Sequence, residues 1–245
     1  MFLHRQELQF KSTPDKPDAV YARKLQEVLG GQYGEISVAM QYMFQGWNMH
    51  MPGKYRDLVF GIASEEIGHV EMLAVMIAQL LEKSPIGITN DAVQADPTVA
   101  AIIGGTDVQH AIVAGAGARP VDSMGNPWQG SYITCSGNLM ADFHANANAE
   151  MQGRVQAARL FHMTDDSGVR DLLRFLIARD TMHQNQWLAA IEQLKADGVE
   201  LLPVPSNFPQ SEEHEEVSYQ YQNFSDGTAA SEGRWASGPS IDGKG

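Results

Sequence analysis

Apolar residues recur at alternating three- and four-residue steps along four long stretches of the chain, which is the spacing of one face of an α-helix. The stretches predicted to be helical run from about Asp18 to His50, Lys54 to Lys83, Cys135 to Met163 and Ser167 to Asp197. Asp18 is a candidate N-cap for the first helix, and Gly198 closes the last one. A helix of about 30 residues is roughly 45 Å long, so the pattern predicts the rods of a helical bundle.

The lengths of the connections predict how these helices are arranged. Short connections join the first helix to the second and the third to the fourth, so each pair forms an antiparallel hairpin. Between the hairpins lies a connection of about 50 residues, Pro85 to Thr134, which is longer than most connections in compact domains. In bundles such a connection marks a crossover, which is typical of the ferritin-like topology. The predicted fold class is therefore all-α, a ferritin-like four-helix bundle with a long crossover.

The composition changes after Gly198. Pro, Ser, Gly, Asp and Glu dominate there without any periodicity, so an extended irregular C-terminal tail is predicted. We expect residues 1–200 to form the bundle domain, and residues 201–245 to be either disordered or packed on a neighbouring subunit.

The predicted second and fourth helices each carry a carboxylate and a histidine in the middle of an otherwise apolar face. On the second helix this face consists of Val59, Ile62, Glu66, His69, Leu73, Met76 and Leu80. On the fourth helix it consists of Leu173, Leu176, Asp180, His183, Trp187, Ala190 and Leu194. A lone buried histidine is usually a hydrogen-bonded core residue, but a buried ionised carboxylate without a partner costs several kcal/mol or becomes protonated. Because two helices repeat the pair at the same depth, the pattern predicts a metal site.

Each of the other two predicted helices has a single acid on its inward face. On the first helix this face consists of Tyr21, Leu25, Val28, Gln32, Glu35, Ala39 and Tyr42. On the third helix it consists of Leu139, Phe143, Asn146, Glu150, Gly153, Ala157 and Leu160. One Glu from each of two helices, with a carboxylate-x-x-His pair from each of the others, is the pattern of dinuclear carboxylate bundles. Glu65 and Glu71 fall off the inward face, and we expect them to face a flank or a subunit contact.

Oxygen and imidazole ligands in this ratio suit manganese or iron better than zinc, which favours lower coordination numbers and sulfur or nitrogen ligands. Ligand types alone do not separate manganese from iron. The residues therefore predict a dinuclear redox centre with either metal.

Charge and cysteine content exclude several other classes of function. The net charge of −13 leaves no basic surface for nucleic acid or for an anionic membrane. Cys135 is the single cysteine, so an intramolecular disulfide is excluded. No run of about 18 apolar residues is present to span a bilayer, and the first residues lack the apolar stretch of a secretory signal. We expect a cytoplasmic protein.

At these residues the chain resembles the manganese catalases, which are non-haem catalases. The likeness covers roughly residues 1–200, and its most specific stretches are LGGQYGEISVAMQYMFQGWN (29–48), YRDLVFGIASEEIGHVEML (55–73) and MHQNQW (182–187). A bare E-x-x-H motif is weak, but these long blocks in the same order are specific. The resemblance implies a ferritin-like bundle that disproportionates hydrogen peroxide to water and dioxygen, with two manganese ions per subunit cycling between divalent and trivalent states.

The resemblance also assigns roles to individual residues. It implies five metal ligands, namely Glu35, Glu66, His69, Glu150 and His183, with Glu66 bridging both ions. Tyr42 matches a tyrosine that lies next to the ligands and is expected to act in catalysis with Asp180, the alternative being an ordinary core aromatic with a hydrogen-bonded hydroxyl. Asp180 stands where related proteins have a Glu that carries protons, and its side chain is shorter by one methylene, roughly 1.5 Å. We expect Asp180 to keep the proton-carrying role. Either a water molecule completes the path to the metals, or proton transfer is less efficient than with Glu.

Two further family features are implied. Some members bind a structural calcium ion, for which Asp57 and the oxygens of Asn223, Ser225 and Gly227 are candidates. A second acid expected at position 61 is replaced by Gly61, and the tail segment is also a simple turn sequence. Family members are typically homohexamers whose tails wrap neighbouring subunits.

Two other classes of function compete with this interpretation. A di-iron carboxylate oxidase, peroxidase or iron-storage bundle would share nearly the same core residues, although storage ferritins are usually shorter and lack such a crossover and tail. A purely structural helical scaffold would have to bury five to six titratable groups at one level of the bundle. The free energy needed to desolvate these groups is larger than any gain in structural specificity could offset.

Overall fold

The computed structural model describes residues 4–50, 53–82, 113–115, 117–199 and 208–240. The bundle is formed by the helices α1 (Ala19–Gly30), α2 (Glu35–Asn48), α3 (Gly53–Leu81), α4 (Leu139–Phe161) and α5 (Ser167–Ala196). Two short helices follow in the tail, α6 (Glu215–Ser218) and α7 (Arg234–Ser237). The residues described contain no strand beyond an isolated bridge between Val121 and Pro127. The predicted all-α class is confirmed.

Side-chain caps and a glycine set the ends of several bundle helices. Asp18 accepts a hydrogen bond from the backbone N–H of Tyr21 at 2.9 Å, as predicted. Asn138 and Asp166 cap α4 and α5 in the same way. Gly198 follows α5 with a φ of 65°, a left-handed conformation that favours glycine. The predicted end of the second helix at Lys83 and the crossover residues 85–112 lie outside the described residues.

The predicted first helix, Asp18 to His50, is wrong in one respect because the structure breaks it into α1 and α2. Gly31 and Gly34 at the break both have extended backbones, and glycine is a weak helix former. Gly30 has no room for a side chain, since a Cβ there would lie 2.4 Å from the carbonyl oxygen of Val121. Gln32, which was predicted to face inward, is exposed. The break places Glu35 in the first turn of α2.

The described part of the crossover is fixed to the bundle by buried amide side chains. Gln26 donates to the carbonyl oxygens of Arg119 at 2.6 Å and Val121 at 2.9 Å. Gln41 accepts from the backbone N–H of Thr134 at 2.7 Å and donates to Asn146 of α4 at 2.8 Å. These contacts hold the end of the crossover against α1, α2 and α4.

Among the described residues, the core consists of two apolar clusters separated by a polar layer. The first cluster includes Leu25, Leu73, Met76, Leu173 and Leu176. The second cluster includes Val59, Ile62, Phe143, Trp187 and Leu194. Along both α3 and α5 the chain passes from one cluster to the other through an acid and a histidine. The polar layer therefore lies in the middle of the bundle, enclosed by apolar side chains on both sides.

Candidate metal centre

The polar layer brings together the acids and histidines that the sequence singled out on four helices. Glu66, His69 and His183 have no exposed surface. The other three acids of the layer are also buried, namely Glu35, Glu150 and Asp180. All seven residues of each predicted inward face on α3 and α5 are buried.

Glu66 lies at the centre of the layer and faces both histidines. Its Oε2 atom is 2.7 Å from Nδ1 of His69, and its Oε1 atom is 2.6 Å from Nδ1 of His183. The two imidazole rings are nearly parallel, with centroids 5.6 Å apart. One carboxylate thus presents a separate oxygen to each ring.

Two groups of metal-ligating atoms share Glu66. Glu35, Glu66 and His69 form one group, and Glu66, Glu150 and His183 form the other. Within each group the ligand atoms lie within 4.8 Å of one another. The five residues that the family resemblance assigned as ligands are therefore those that the fold brings together, and their role as ligands remains a prediction.

Several polar atoms of the layer are buried without a hydrogen-bond partner. They are both carboxylate oxygens of Glu66, both ring nitrogens of His69 and of His183, and Oδ1 of Asp180. The short contacts of Glu66 do not meet the directional requirement of a hydrogen bond. Each buried polar atom without a partner costs about 1–3 kcal/mol, and a cation among these oxygen and nitrogen donors would satisfy them. The donor set fits manganese or iron.

The negative charges of the carboxylates in the layer repel one another, which affects the pKa of each acid. Burial and the charge of Glu66 raise the pKa of Glu35 to about 8. Burial, Glu66 and Asp180 raise the pKa of Glu150 well above its usual range. Burial opposes ionisation of Glu66 as well, but His69 and His183 hold its pKa below the usual range. The layer thus needs additional positive charge before all of its acids can be ionised together.

Two aromatic side chains hold Glu150 in place. The Tyr42 hydroxyl donates to Oε1 of Glu150 at 2.6 Å, and the Trp187 indole N–H donates to the same oxygen at 3.3 Å. The second oxygen, Oε2, is 3.9 Å from Nδ1 of His183. Tyr42 and Trp187 therefore leave Oε2 directed at the centre of the layer.

Asp180 lies beside the two ligand groups and belongs to neither. Burial, Glu35 and Glu66 raise its pKa well above the usual range. A Cβ at Gly153 of α4 would be 3.5 Å from Oδ2 of Asp180, which is ordinary van der Waals contact. The absence of a side chain at Gly153 leaves space next to the carboxylate.

The position of Glu65 contradicts the expectation that this residue faces a flank or a subunit contact, because its carboxylate faces the two histidines of the layer. Its Oε2 atom is 3.1 Å from Nε2 of His183, and its Oε1 atom is 3.6 Å from Nε2 of His69. Arg179 forms a two-point ion pair with the same carboxylate. Glu71, in contrast, lies at the surface, where it pairs with His4 at 2.9 Å.

Comparison with known proteins decides the family. The family model described as manganese-containing catalase matches residues 1–245. The chain belongs to the manganese-containing catalase family. The predictions of a ferritin-like bundle and of a catalase function are confirmed with it.

Individual relatives match this chain over most of their own length. The chain is 55% identical to a manganese catalase of Bacillus subtilis strain 168 over 244 residues, which is 100% of this chain and 88% of that protein. It is 56% identical over 245 residues to the uncharacterised protein YjqC of the same strain, with the same two coverages. Among solved structures, KatB, a manganese catalase from Anabaena, superimposes with a TM-score of 0.77 and 26% identity, covering 98% of this chain and 96% of that chain.

The sequence pattern did not predict that Glu65, Arg179 and Trp187 lie at the site of this catalase. The helical period places Trp187 only on the apolar face of α5, and it gives no signal for Arg179. Glu65 was placed outside the site because the helical period puts it one position from the inward face. The one signal for Trp187 was its place in the block MHQNQW.

The predicted calcium ligands are all exposed. In the tail, Asn223 donates to the carbonyl oxygen of Gly227 at 2.8 Å, and Gly227 donates to Ser225 Oγ at 3.1 Å. This is the turn that the sequence also allowed. Asp57 lies in the first turns of α3. Among the described residues, Asp57 joins no group of three metal-ligating acids or histidines, and calcium binding stays a prediction.

Of the helices in the described part of the chain, none combines the length and the apolar character that a membrane span requires.

Proposed function

We propose that this catalase disproportionates hydrogen peroxide to water and dioxygen at two manganese ions per subunit, bound by Glu35, Glu66, His69, Glu150 and His183. The observation that supports this assignment best is the position of Glu66, which presents one oxygen to each histidine at 2.6–2.7 Å. Glu35 and Glu150 add a terminal acid on either side. When bound, the manganese pair would supply a two-electron redox couple, which takes two electrons from one peroxide and returns them to a second.

The residues of the chain supply charge, orientation and proton transfer. The four carboxylates, including Asp180, offset much of the charge of the cations and favour their higher oxidation state. Tyr42 and Trp187 direct Glu150 by donating to its outer oxygen. The apolar clusters on both sides of the layer exclude bulk water. Together these groups keep the ligands in one geometry throughout the redox cycle.

Asp180 is the proposed proton carrier. Each turnover of two peroxides releases two protons from the peroxide that becomes dioxygen, and the second peroxide needs both to become two waters. Asp180 is buried, has an oxygen without a partner, and adjoins both ligand groups without belonging to either. With the cations bound and its carboxylate ionised, it can therefore accept one of these two protons at Oδ1 and return it without leaving the metals short of a ligand.

Metal analysis with a peroxide assay tests the proposed centre. The purified protein should carry close to two manganese ions per chain and should evolve oxygen from peroxide without haem. Glu71→Gln is the matched control for ligand variants, because Glu71 is an acid of the same helix that pairs only at the surface with His4. Stoichiometric iron with negligible manganese and no oxygen evolution would instead favour a di-iron bundle.

We also propose that the chain forms a homohexamer in the cytoplasm and that the tail, residues 201–245, packs on a neighbouring subunit. Large apolar side chains of the described tail are exposed, with Phe224 at 93% and Trp235 at 73%. On α2, Phe44 and Trp47 are also exposed. Light scattering on the full chain and on a variant shortened after Gly198 tests this proposal, because loss of the tail should reduce the molar mass or the stability of the assembly.

A further inference from the structure

Each imidazole of the metal centre lies between two carboxylates. The Nδ1 atoms of His69 and His183 face Glu66, on the inside of the layer. The Nε2 atoms face Glu65, which lies 3.6 Å from His69 and 3.1 Å from His183. Glu66 on the inside of the layer and Glu65 on the outside thus face the same two histidines.

The outer nitrogens need an acceptor. A neutral histidine that binds a metal through Nδ1 carries its proton on Nε2. Both Nε2 atoms are buried, and neither forms an aligned hydrogen bond with Glu65 or with any other described group. Metal-binding histidines ordinarily donate this second N–H to a carboxylate, a carbonyl or water. Glu65 is the carboxylate that faces both Nε2 atoms.

Glu65 is itself held from two other directions. Arg179 donates through Nε to Oε1 at 2.6 Å and through a terminal nitrogen to Oε2 at 3.1 Å. Gln9, from the segment that precedes α1, donates to Oε1 at 2.7 Å. A charged carboxylate fixed by a two-point contact has little freedom to turn away from the histidines.

We propose that Glu65 is a positioning residue that accepts the Nε2–H of both His69 and His183 and thereby directs both Nδ1 atoms toward the two ions. This inference rests on the ligand set proposed above. Because a single carboxylate serves both histidines, its loss affects both ions. Arg179 and Gln9 act through Glu65, by fixing the direction of its oxygens.

Binding of Mn²⁺ to the full chain tests this role without an activity assay. The EPR signal of free Mn²⁺ is followed while the ion is added to wild-type protein and to Glu65→Gln. Loss of an outer carboxylate from a metal-binding histidine typically costs about 10–100-fold in metal affinity, so both binding steps should weaken by about that factor while the capacity stays at two ions. Glu71→Gln should bind both ions as the wild type does.

A second measurement separates positioning from a general effect of charge. In protein labelled with ¹⁵N at histidine, the ring-nitrogen shifts report which nitrogen carries the proton. In the metal-free protein, where no paramagnetic ion broadens the signals, the Nε2 shifts of His69 and His183 should move in Glu65→Gln and stay unchanged in Glu71→Gln, because both Nε2 atoms face Glu65. Arg179→Gln, which leaves Glu65 in place but frees it to turn, should cause a smaller loss of the same kind and provides a test if Glu65→Gln does not fold by circular dichroism.

The outcomes distinguish this inference from the ligand assignment. If Glu66→Gln binds both ions with wild-type affinity, the ligand set is wrong. If Glu66→Gln loses the ions while Glu65→Gln binds them normally, the role of Glu65 alone is refuted. Weakened binding in Glu65→Gln with an unchanged histidine spectrum also refutes it, because the effect would then come from charge.

Discussion

Replacing Asp180 with Asn tests the proposed route of the protons. The substitution keeps the shape of the side chain and removes the group that titrates. A positioned general acid or base contributes about 10²–10⁴-fold to a rate, which corresponds to roughly 3–5 kcal/mol of activation free energy. We therefore expect kcat to fall by about that factor. Both ions should remain bound, because Asp180 belongs to neither ligand group.

The structure also predicts how this variant changes stability. Burial and the charges of Glu35 and Glu66 raise the pKa of Asp180, so an ionised Asp180 is unfavourable in the folded chain before metal is added. The folded wild type therefore has to protonate this carboxylate, and Asn, which is neutral at every pH, removes the free-energy cost of that protonation. The apo form of Asp180→Asn should consequently unfold at the same temperature as the wild type or higher, whereas most substitutions of buried residues destabilise a protein.

Asp180→Glu is the matched variant that keeps the titratable carboxyl group and changes only the length of the side chain. It lengthens the side chain by one methylene, and Gly153, whose Cβ position would lie 3.5 Å from Oδ2 of Asp180, places no side chain next to that carboxylate. Activity should be preserved or raised. The three proteins are compared by metal content, steady-state oxygen release and thermal unfolding. Full activity in Asp180→Asn would show that protons travel by another route, and loss of one manganese from it would make Asp180 a ligand.

Four further substitutions probe the rest of the bundle. Glu66→Gln and His69→Ala should abolish metal binding and oxygen evolution together, measured by elemental analysis and an oxygen electrode; retained metal in either would contradict the ligand set. Tyr42→Phe removes a 2.6 Å hydrogen bond to Glu150, and because a hydrogen bond to a charged group contributes about 1.5–3 kcal/mol, the Mn²⁺ affinity should fall by roughly tenfold or more. An unchanged affinity would show that Tyr42 does not orient Glu150. Leu173→Ala should cost about 2–5 kcal/mol in chemical unfolding while leaving the metal content unchanged, because Leu173 is fully buried in the first apolar cluster; loss of metal would show that the cluster and the polar layer are not independent.

The helical period of the sequence determined most of the metal centre. On α3 and α5, every residue predicted to face inward is buried. The reason is that a regular helix fixes which residues share a face, so the depth of Glu66 and His69 follows from their spacing relative to Leu73 and Ile62. The same period placed Glu35 and Glu150 on the inward faces of α2 and α4, where both are buried, and the likeness to the manganese catalases added the role of each residue.

Local backbone chemistry was harder to predict than the inward faces. The period continues through LGGQYG, and it therefore predicted one helix where the structure has α1 and α2. The break depends partly on glycine propensity and partly on the crossover, since the backbone of Val121 lies directly against Gly30. The second cause is a contact between residues that are far apart in the chain, which no local pattern reports.

The outer side of the metal centre was decided by the tertiary structure alone. Spacing along α3 places Glu65 next to the inward face and says nothing about what it meets there. Its partners come from distant parts of the chain, with Gln9 56 residues away and Arg179 114 residues away in the sequence. A periodic pattern determines which face of a helix is buried, whereas the partners of a residue at the edge of that face depend on how neighbouring helices pack against it.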